Sequence, residues 1–234
     1  MRPTLSSRLF QLLLGLCFAL PLVAQDEEHY TKEVGLGLGT GFMLNDANAR
    51  LYGDARPAGA FLFRFVLNPR MAVRLHLGHQ RIGGSVQKVK NFYPAHSDKA
   101  SSERLQYSFS GGITDVGAVY ELHFLPYGYY RGYLGLRRFV PFLQMGVGLA
   151  YSDVGRRAAL HFPLGFGLKY KITPRLNLGL DWRMQLSMSD QLEGLDGPTG
   201  IRSEMMRNTD HMGQTLLTLT YDFSPTCPTC NKAD

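Results

Sequence analysis

Two consecutive segments, Leu160 to Ile172 and Leu176 to Met188, place a large apolar side chain at every second position without a miss. In the first, Leu160, Phe162, Leu164, Phe166, Leu168, Tyr170 and Ile172 share one face, against His161, Pro163, Gly165, Gly167, Lys169 and Lys171 on the other. In the second, Leu176, Leu178, Leu180, Trp182, Met184, Leu186 and Met188 stand against Asn177, Gly179, Asp181, Arg183, Gln185 and Ser187. Side chains alternate faces along a strand, so each segment is a strand with one wholly apolar face. Strands of soluble proteins run about 5–6 residues, whereas a tilted strand crossing a bilayer needs about 9–11. The length of the pattern points to a membrane.

The N-terminus agrees. Arg2 and Arg8 precede an apolar run from Leu9 to Val23, and Ala24 offers a small-residue cleavage site before Gln25. That is the form of a secretory signal peptide over 1–24; the run is shorter than the ~20 residues a spanning helix requires. Cys17 follows Leu16, where a lipid-attachment site would want a small residue. Loss of 1–24 removes two of the 25 basic residues and no acid, leaving 23 against 19 and a net charge of +4. So mild a charge gives no argument for nucleic acid.

Six further segments alternate less perfectly: Glu33 to Phe42, Ala58 to Leu67, Met71 to Ile82, Leu105 to Phe124, Arg138 to Ser152 and His211 to Phe223. In lipid every backbone N–H and C=O must be paired within the protein, and an open sheet leaves an edge. The expected fold is therefore all-β: an eight-stranded antiparallel transmembrane β-barrel over 25–223, with a tail over 224–234. An even strand count puts both termini on one side. On that side lie Asn68 to Arg70, Pro126 to Arg137 and Thr173 to Arg175; on the other lie Met43 to Arg56, Gly83 to Arg104, Asp153 to Arg157 and Ser189 to Asp210. Short turns mark the periplasmic side of an outer-membrane barrel, so the termini are expected in the periplasm and the protein in the outer membrane, among its lipids.

An eight-stranded barrel is just wide enough for side chains to fill. Parity sends Arg64, Arg74, Asp115, Glu121, Lys169, Asp181, Arg183 and Asp222 inward, with His76 among them. Charges in so dry a space must be paired, and the mixture of signs reads as a plug of ion pairs rather than a channel. The Gly-Leu alternation Gly35 to Gly41 superficially resembles a dinucleotide loop, but no helical pattern follows it. Cys227 and Cys230 lack the second ligand pair a structural zinc needs and the βα context of a redox motif. A local disulfide between them, or a partner-facing tail, both stay open. No catalytic, cofactor-binding or metal site is expected.

Several motifs carry a likeness. The run FPLGFGLKYKITPRLNLGLDWRMQLSMSDQLEGLD from Phe162 to Asp196, FVLNPRMAVRLHL from Phe65 to Leu77, and the Phe-x-Pro-Phe-x-x-x-Gly strand from Phe139 resemble a family of Bacteroidetes outer-membrane β-barrels. Together with the Cys-Pro ending they cover most of the chain beyond the leader. That family includes PorG, the barrel component of the type IX secretion system, which in related organisms also serves gliding motility. The resemblance implies a non-enzymatic role and association with a periplasmic ring made by PorK and PorN. The short loop Asp153 to Arg157 departs from many members.

The residues themselves offer one surface for such a partner. The connection after strand four is longer than a turn requires and holds Tyr127, Tyr129, Tyr130, Arg131, Tyr133, Arg137 and Arg138. Tyr and Arg are enriched at protein interfaces, and equally in the aromatic girdle of a barrel. With Cys227 and Cys230 these form the candidate partner-binding set. Two other function classes remain as alternatives. One is a free-standing surface barrel acting in adhesion or membrane stabilisation, through loops such as Gly83 to Arg104. The other is a rim-located lipid hydrolase, for which strand pairing would bring His161, Ser187 or Ser189, and Asp190 near one another at the extracellular edge.

Overall fold

A computed structural model describes residues 29–45, 48, 50–86, 107–129, 135–189, 192–194 and 209–226. The leader, Asp190, most of the two longest loops, Tyr130, Arg131, Tyr133, Cys227 and Cys230 lie outside the described residues. The described chain forms eight strands: β1 His29–Leu44, β2 Arg56–Asn68, β3 Met71–Ser85, β4 Ser108–His123, β5 Phe139–Ser152, β6 Arg157–Lys171, β7 Leu176–Ser187 and β8 His211–Thr226. Each pairs antiparallel with the next, and β1 pairs with β8, so the sheet is a closed barrel. Four strand bounds move appreciably from the sequence reading. β1 starts earlier, β3 runs on to Ser85 into the expected loop, β4 begins at Ser108, and β8 takes Ser224 to Thr226 from the expected tail.

Turn chemistry fixes two of the hairpins. The Asn68 carboxamide oxygen accepts the Arg70 N–H at 2.8 Å. The Thr173 hydroxyl oxygen accepts the Leu176 N–H at 3.0 Å. Both are side chains standing in for backbone partners where the ladder stops. We call this the terminal end of the barrel, because β1 starts and β8 finishes there; the other is the loop end.

Alternation survives folding almost residue by residue. The outward set stays exposed, with Leu38 at 73%, Leu36 at 62% and Met145 at 58%. A contiguous exposed apolar belt around every strand far exceeds the few hundred Å² a water-soluble surface tolerates, and it is the surface a bilayer core accepts. Among the large outward side chains Phe42 departs: it is only 1% exposed, because Tyr52 of the first loop lies over it with ring centroids 4.5 Å apart. The glycines of β1 face inward for a steric reason. A Cβ on Gly39 would collide with the Thr215 carbonyl, and one on Gly35 with the Leu219 carbonyl, both across the β1–β8 seam. Ring closure, not phosphate binding, is what that string of glycines serves.

Candidate functional site

The inward face of the terminal half is a continuous lattice of paired charges. Arg64 bridges two carboxylates, Glu33 and Glu121, reaching the latter at 2.7 Å. Arg74 passes from Glu121 at 3.1 Å to Asp181 at 2.5 Å, and also donates to Gln144. Lys169 donates to Glu33 at 2.5 Å, and Lys171 pairs with Asp222, whose other oxygen accepts the Asn177 amide at 2.8 Å. Higher in the barrel, Asp115 meets His76 at 2.7 Å and Arg183 at 3.6 Å.

The ten strand-borne ions, Arg64, Arg74, Lys169, Lys171 and Arg183 with Glu33, Asp115, Glu121, Asp181 and Asp222, are all buried and balance in sign. Every carboxylate has a cation beside it. Eight of the ten were placed inward by parity; Glu33 and Lys171 were not counted. Their signal was present: Glu33 has the parity of Gly35 to Gly41, and Lys171 that of Lys169, but both sit at strand ends where alternation is hardest to bound.

Below the lattice lies a residue of the connection after β4. Tyr127, placed by the sequence reading in a girdle or on a partner-facing surface, turns back beneath the lumen. Its ring sits under two ammonium groups, 4.5 Å from Lys169 Nζ and 5.0 Å from Lys171 Nζ. Its hydroxyl donates to Asn177 Oδ1 at 2.7 Å. Backbone bonds hold it there: Tyr127 N–H donates to the Pro69 carbonyl at 2.8 Å, and Arg137 N–H to the Pro126 carbonyl at 2.7 Å. Burial, with Glu33 and Asp222 nearby, holds its phenol well above the usual tyrosine range. The long connection is thus partly a stopper.

Of the other described residues of that connection, Gly128 and Leu136 are buried, Tyr129 is half-buried and the two arginines are exposed. Arg138 is exposed and donates to the carbonyls of Lys171 at 2.9 Å and Ile172 at 2.7 Å. Its guanidinium stacks on Tyr129 at 4.5 Å and on Tyr170 at 5.3 Å. Arg137 is exposed beside it. Of the candidate partner-binding set, Tyr129, Arg137 and Arg138 lie at the terminal rim, and Tyr127 lies beneath the lumen.

At the loop end the lumen changes character. Met43, Ile82, Val86, Phe109, Ile113, Ala150, Ala159 and Met212 form an apolar cluster closed by Leu192, a loop residue that is 0% exposed. Leu192 is tied in by its backbone. Ser152 Oγ donates to its carbonyl at 2.5 Å, and Asp210 Oδ2 accepts its N–H at 2.8 Å. The Tyr107 hydroxyl donates to the Glu193 carbonyl at 2.7 Å, and burial raises its pKa, assisted by Glu193 and Asp210. Sequence reasoning missed this cap. Apolar residues at inward positions near strand ends look there like lapses in the alternation.

Of the hydrolase candidates, Asp190 lies outside the described residues; His161 and Ser187 are register partners at the loop end, both buried, and neither ring nitrogen of His161 has a hydrogen-bond partner among the described residues. The Ser187 hydroxyl instead accepts the Ser189 N–H at 3.1 Å. Among the described residues no cluster of His, Cys, Asp and Glu could hold a metal ion.

No protein-family model matches the chain, and no curated protein does. Solved structures do. Neisserial surface protein A superimposes with a TM-score of 0.50 at 11% identity, covering 82% of this chain and 97% of that one. Ail, the attachment invasion locus protein of Yersinia pestis, solved with the heparin analogue sucrose octasulfate, gives 0.46 at 12% identity over 83% of this chain and 100% of that one. The N-terminal β-barrel domain of Pseudomonas aeruginosa OprF gives 0.43 at 14% identity, over 84% and 100%. At such identities the likeness is one of fold: an eight-stranded barrel of the outer-membrane type.

Proposed function

We propose that this chain is a non-conducting, non-enzymatic outer-membrane barrel that works through its terminal face as a PorG-like component of type IX protein secretion. In this reading the termini lie in the periplasm, and a ring of PorK and PorN engages Tyr129, Arg137, Arg138 and the tail bearing Cys227 and Cys230. The observation that carries it is the filled lumen. With the charge lattice and Tyr127 at one end and the Leu192 cap at the other, the described interior offers neither a path nor a reactive cleft, so function falls to the two faces. The motif resemblance then selects the terminal one, where the single connection longer than a hairpin turn presents arginine and tyrosine.

The test is recovery of the barrel from crosslinked outer membranes. Wild-type protein should bring down periplasmic ring proteins, and the combined variant Tyr129→Ser, Arg137→Ser with residues 227–234 deleted should lose them at equal barrel abundance. Unchanged capture would remove this face from the interface. Recovery of the wild type as a lone monomer would instead favour a free-standing surface barrel, a role the fold of Neisserial surface protein A also suits.

A further inference from the structure

The apolar belt is level along one edge and stepped along the other. Because the strands tilt, register partners do not lie at one height. Followed round the barrel from Lys32, through Phe65, Val73, Tyr120, Met145, Leu164, Met184 and Gly213, they return to β1 at Phe42, ten residues further up the strand. Each step to the next of the eight strands therefore climbs a little over one residue. With that stagger removed, the lowest exposed outward side chains of the terminal end, Leu67, Phe124, Phe139 and Ile172, fall within about two residues of one level.

The loop-end edge is not level. On β5 and β6, and just past the end of β7, exposed apolar side chains continue to Tyr151, Leu160 and Met188. On β8, β1, β2 and β3 the last large ones exposed are Leu217, Leu38, Phe61 and Leu77. Above these the wall turns Thr215, Thr40, Gly59, His79 and Arg81 outward. Three register steps from Phe63, through Leu75 and Ala118 to Val147, climb about four residues, which is the distance of Gly59 above Phe63. Gly59 and Val147 thus stand at one height on different sides of the barrel, as do Pro57 and Leu149. The step is about four residues, or ~10 Å for a rise of about 3.3 Å per residue and a tilt of about 40°. The short side keeps roughly 20 Å of apolar wall, against the ~25 Å such a belt usually presents.

Polar groups occupy the step. His79 Nδ1 meets the Thr114 hydroxyl at 3.0 Å. Tyr52 lays its ring on Phe42, with its hydroxyl against that of Thr215. An outward imidazole is costly in an acyl layer, and tyrosine is enriched where that layer ends. Arg81 is exposed above His79, with Gly112 as its register partner on β4. Among the described residues of these four strands, no acidic side chain has outward parity.

We infer that the loop-side leaflet thins beside β8, β1, β2 and β3, so that lipid phosphates come down the wall to Arg81 and His79. Acyl chains stay in contact with β5, β6 and β7 to full height. A short apolar stretch is met by a thinner bilayer, and a guanidinium anchors phosphate through charge-assisted hydrogen bonds. Tilting the whole barrel would level the loop-end edge only by setting the terminal edge askew.

Nitroxide labels on the full barrel carrying Cys227→Ser and Cys230→Ser, in vesicles of phosphatidylcholine and phosphatidylglycerol, test this. Gly59→Cys and Val147→Cys form one height-matched pair, and Pro57→Cys with Leu149→Cys a second should one of the first fail to fold. Phe63→Cys and Leu143→Cys are the control pair nearer the terminal end. Collision with a water-soluble nickel chelate, relative to oxygen, should be about threefold or more higher at Gly59 than at Val147, and equal within the control pair. Equal values within the upper pairs would overturn the inference. A control pair that diverges would show a tilted barrel, and low collision with both reagents at Gly59 would show a second copy of the chain in place of lipid; either result overturns it as well. Arg81→Leu should lower the nickel collision at Gly59 by about a factor of two, and no change would overturn the phosphate contact.

Discussion

The two ends of the lumen are closed by opposite means. At the terminal end, four cations and four carboxylates from seven of the eight strands interlock, and a tyrosine ring seals the base. At the loop end, nine apolar residues pack together, two of them, Val86 and Leu192, from outside the strands. A lattice of paired charges is directional. Each arginine fork fits only one alignment of the strands that carry its partners, so the lattice penalises a slipped register. Apolar packing is tolerant, and a cap held by a loop can be remodelled without touching the wall. The terminal end therefore specifies the barrel, and the loop end only closes it.

The largest break in that contrast should come from Glu121→Ala. It takes from Arg64 and Arg74 the carboxylate they share, leaving each with a single acid, Glu33 or Asp181, and removing one partner of a buried pair costs about 3–5 kcal/mol. Urea unfolding in micelles, followed by the emission of Trp182, the only tryptophan, measures it. Leu192→Ala should cost less, about 2–3 kcal/mol, near the lower limit for a buried leucine because the surrounding cap can settle. Equal losses from the two would erase the distinction. Planar-bilayer recording sharpens it further: wild-type protein and Leu192→Ala should both fail to conduct, since the lattice still spans the lumen, and steady single-channel currents from Leu192→Ala would show the cap to be the true seal.

The two mouth tyrosines refine the comparison. Tyr127→Phe and Tyr107→Phe each delete one hydrogen bond, worth about 1 kcal/mol. Their alkaline behaviour should differ in degree. Both phenols are raised by burial, so the stability they contribute is present below the unfolded value near ~10 and is lost as pH climbs toward their folded values. Tyr127, the more enclosed, should account for more of the alkaline loss. Urea midpoints from pH 8 to 11 should flatten more in Tyr127→Phe than in Tyr107→Phe. Smallest of all is Arg81→Ala, an exposed polar position on β3, expected within about 0.5 kcal/mol of wild type as a surface substitution.

How much of this was legible beforehand depended on whether parity carried it. Strand number, face and most of the lattice follow from a period of two, which is local and survives in the sequence. Arg64, Arg74 and Asp181 were readable because each interrupts an apolar run with a charge at an inward position. Tyr127 was not, since a connection has no period, and whether it hangs free or folds beneath the barrel depends on bonds to Pro69 and Asn177 from distant strands. Leu192 was hidden for the same reason. Which partner each arginine takes was hidden too, because pairing across a lumen depends on strand stagger, and alternation says nothing of stagger.

The seam between β1 and β8 sets the timing of assembly. Its register runs from His29 against Thr226 to Leu44 against His211, joining the first strand to the last. Until Thr226 has been synthesised, β1 has one edge with nothing to pair to, and its close-set glycines fit no other strand in the same way. Contacts this far apart in sequence also form slowly. Closure therefore waits for β8, and that sixteen-residue strand acts as the clasp that turns a ribbon into a cylinder.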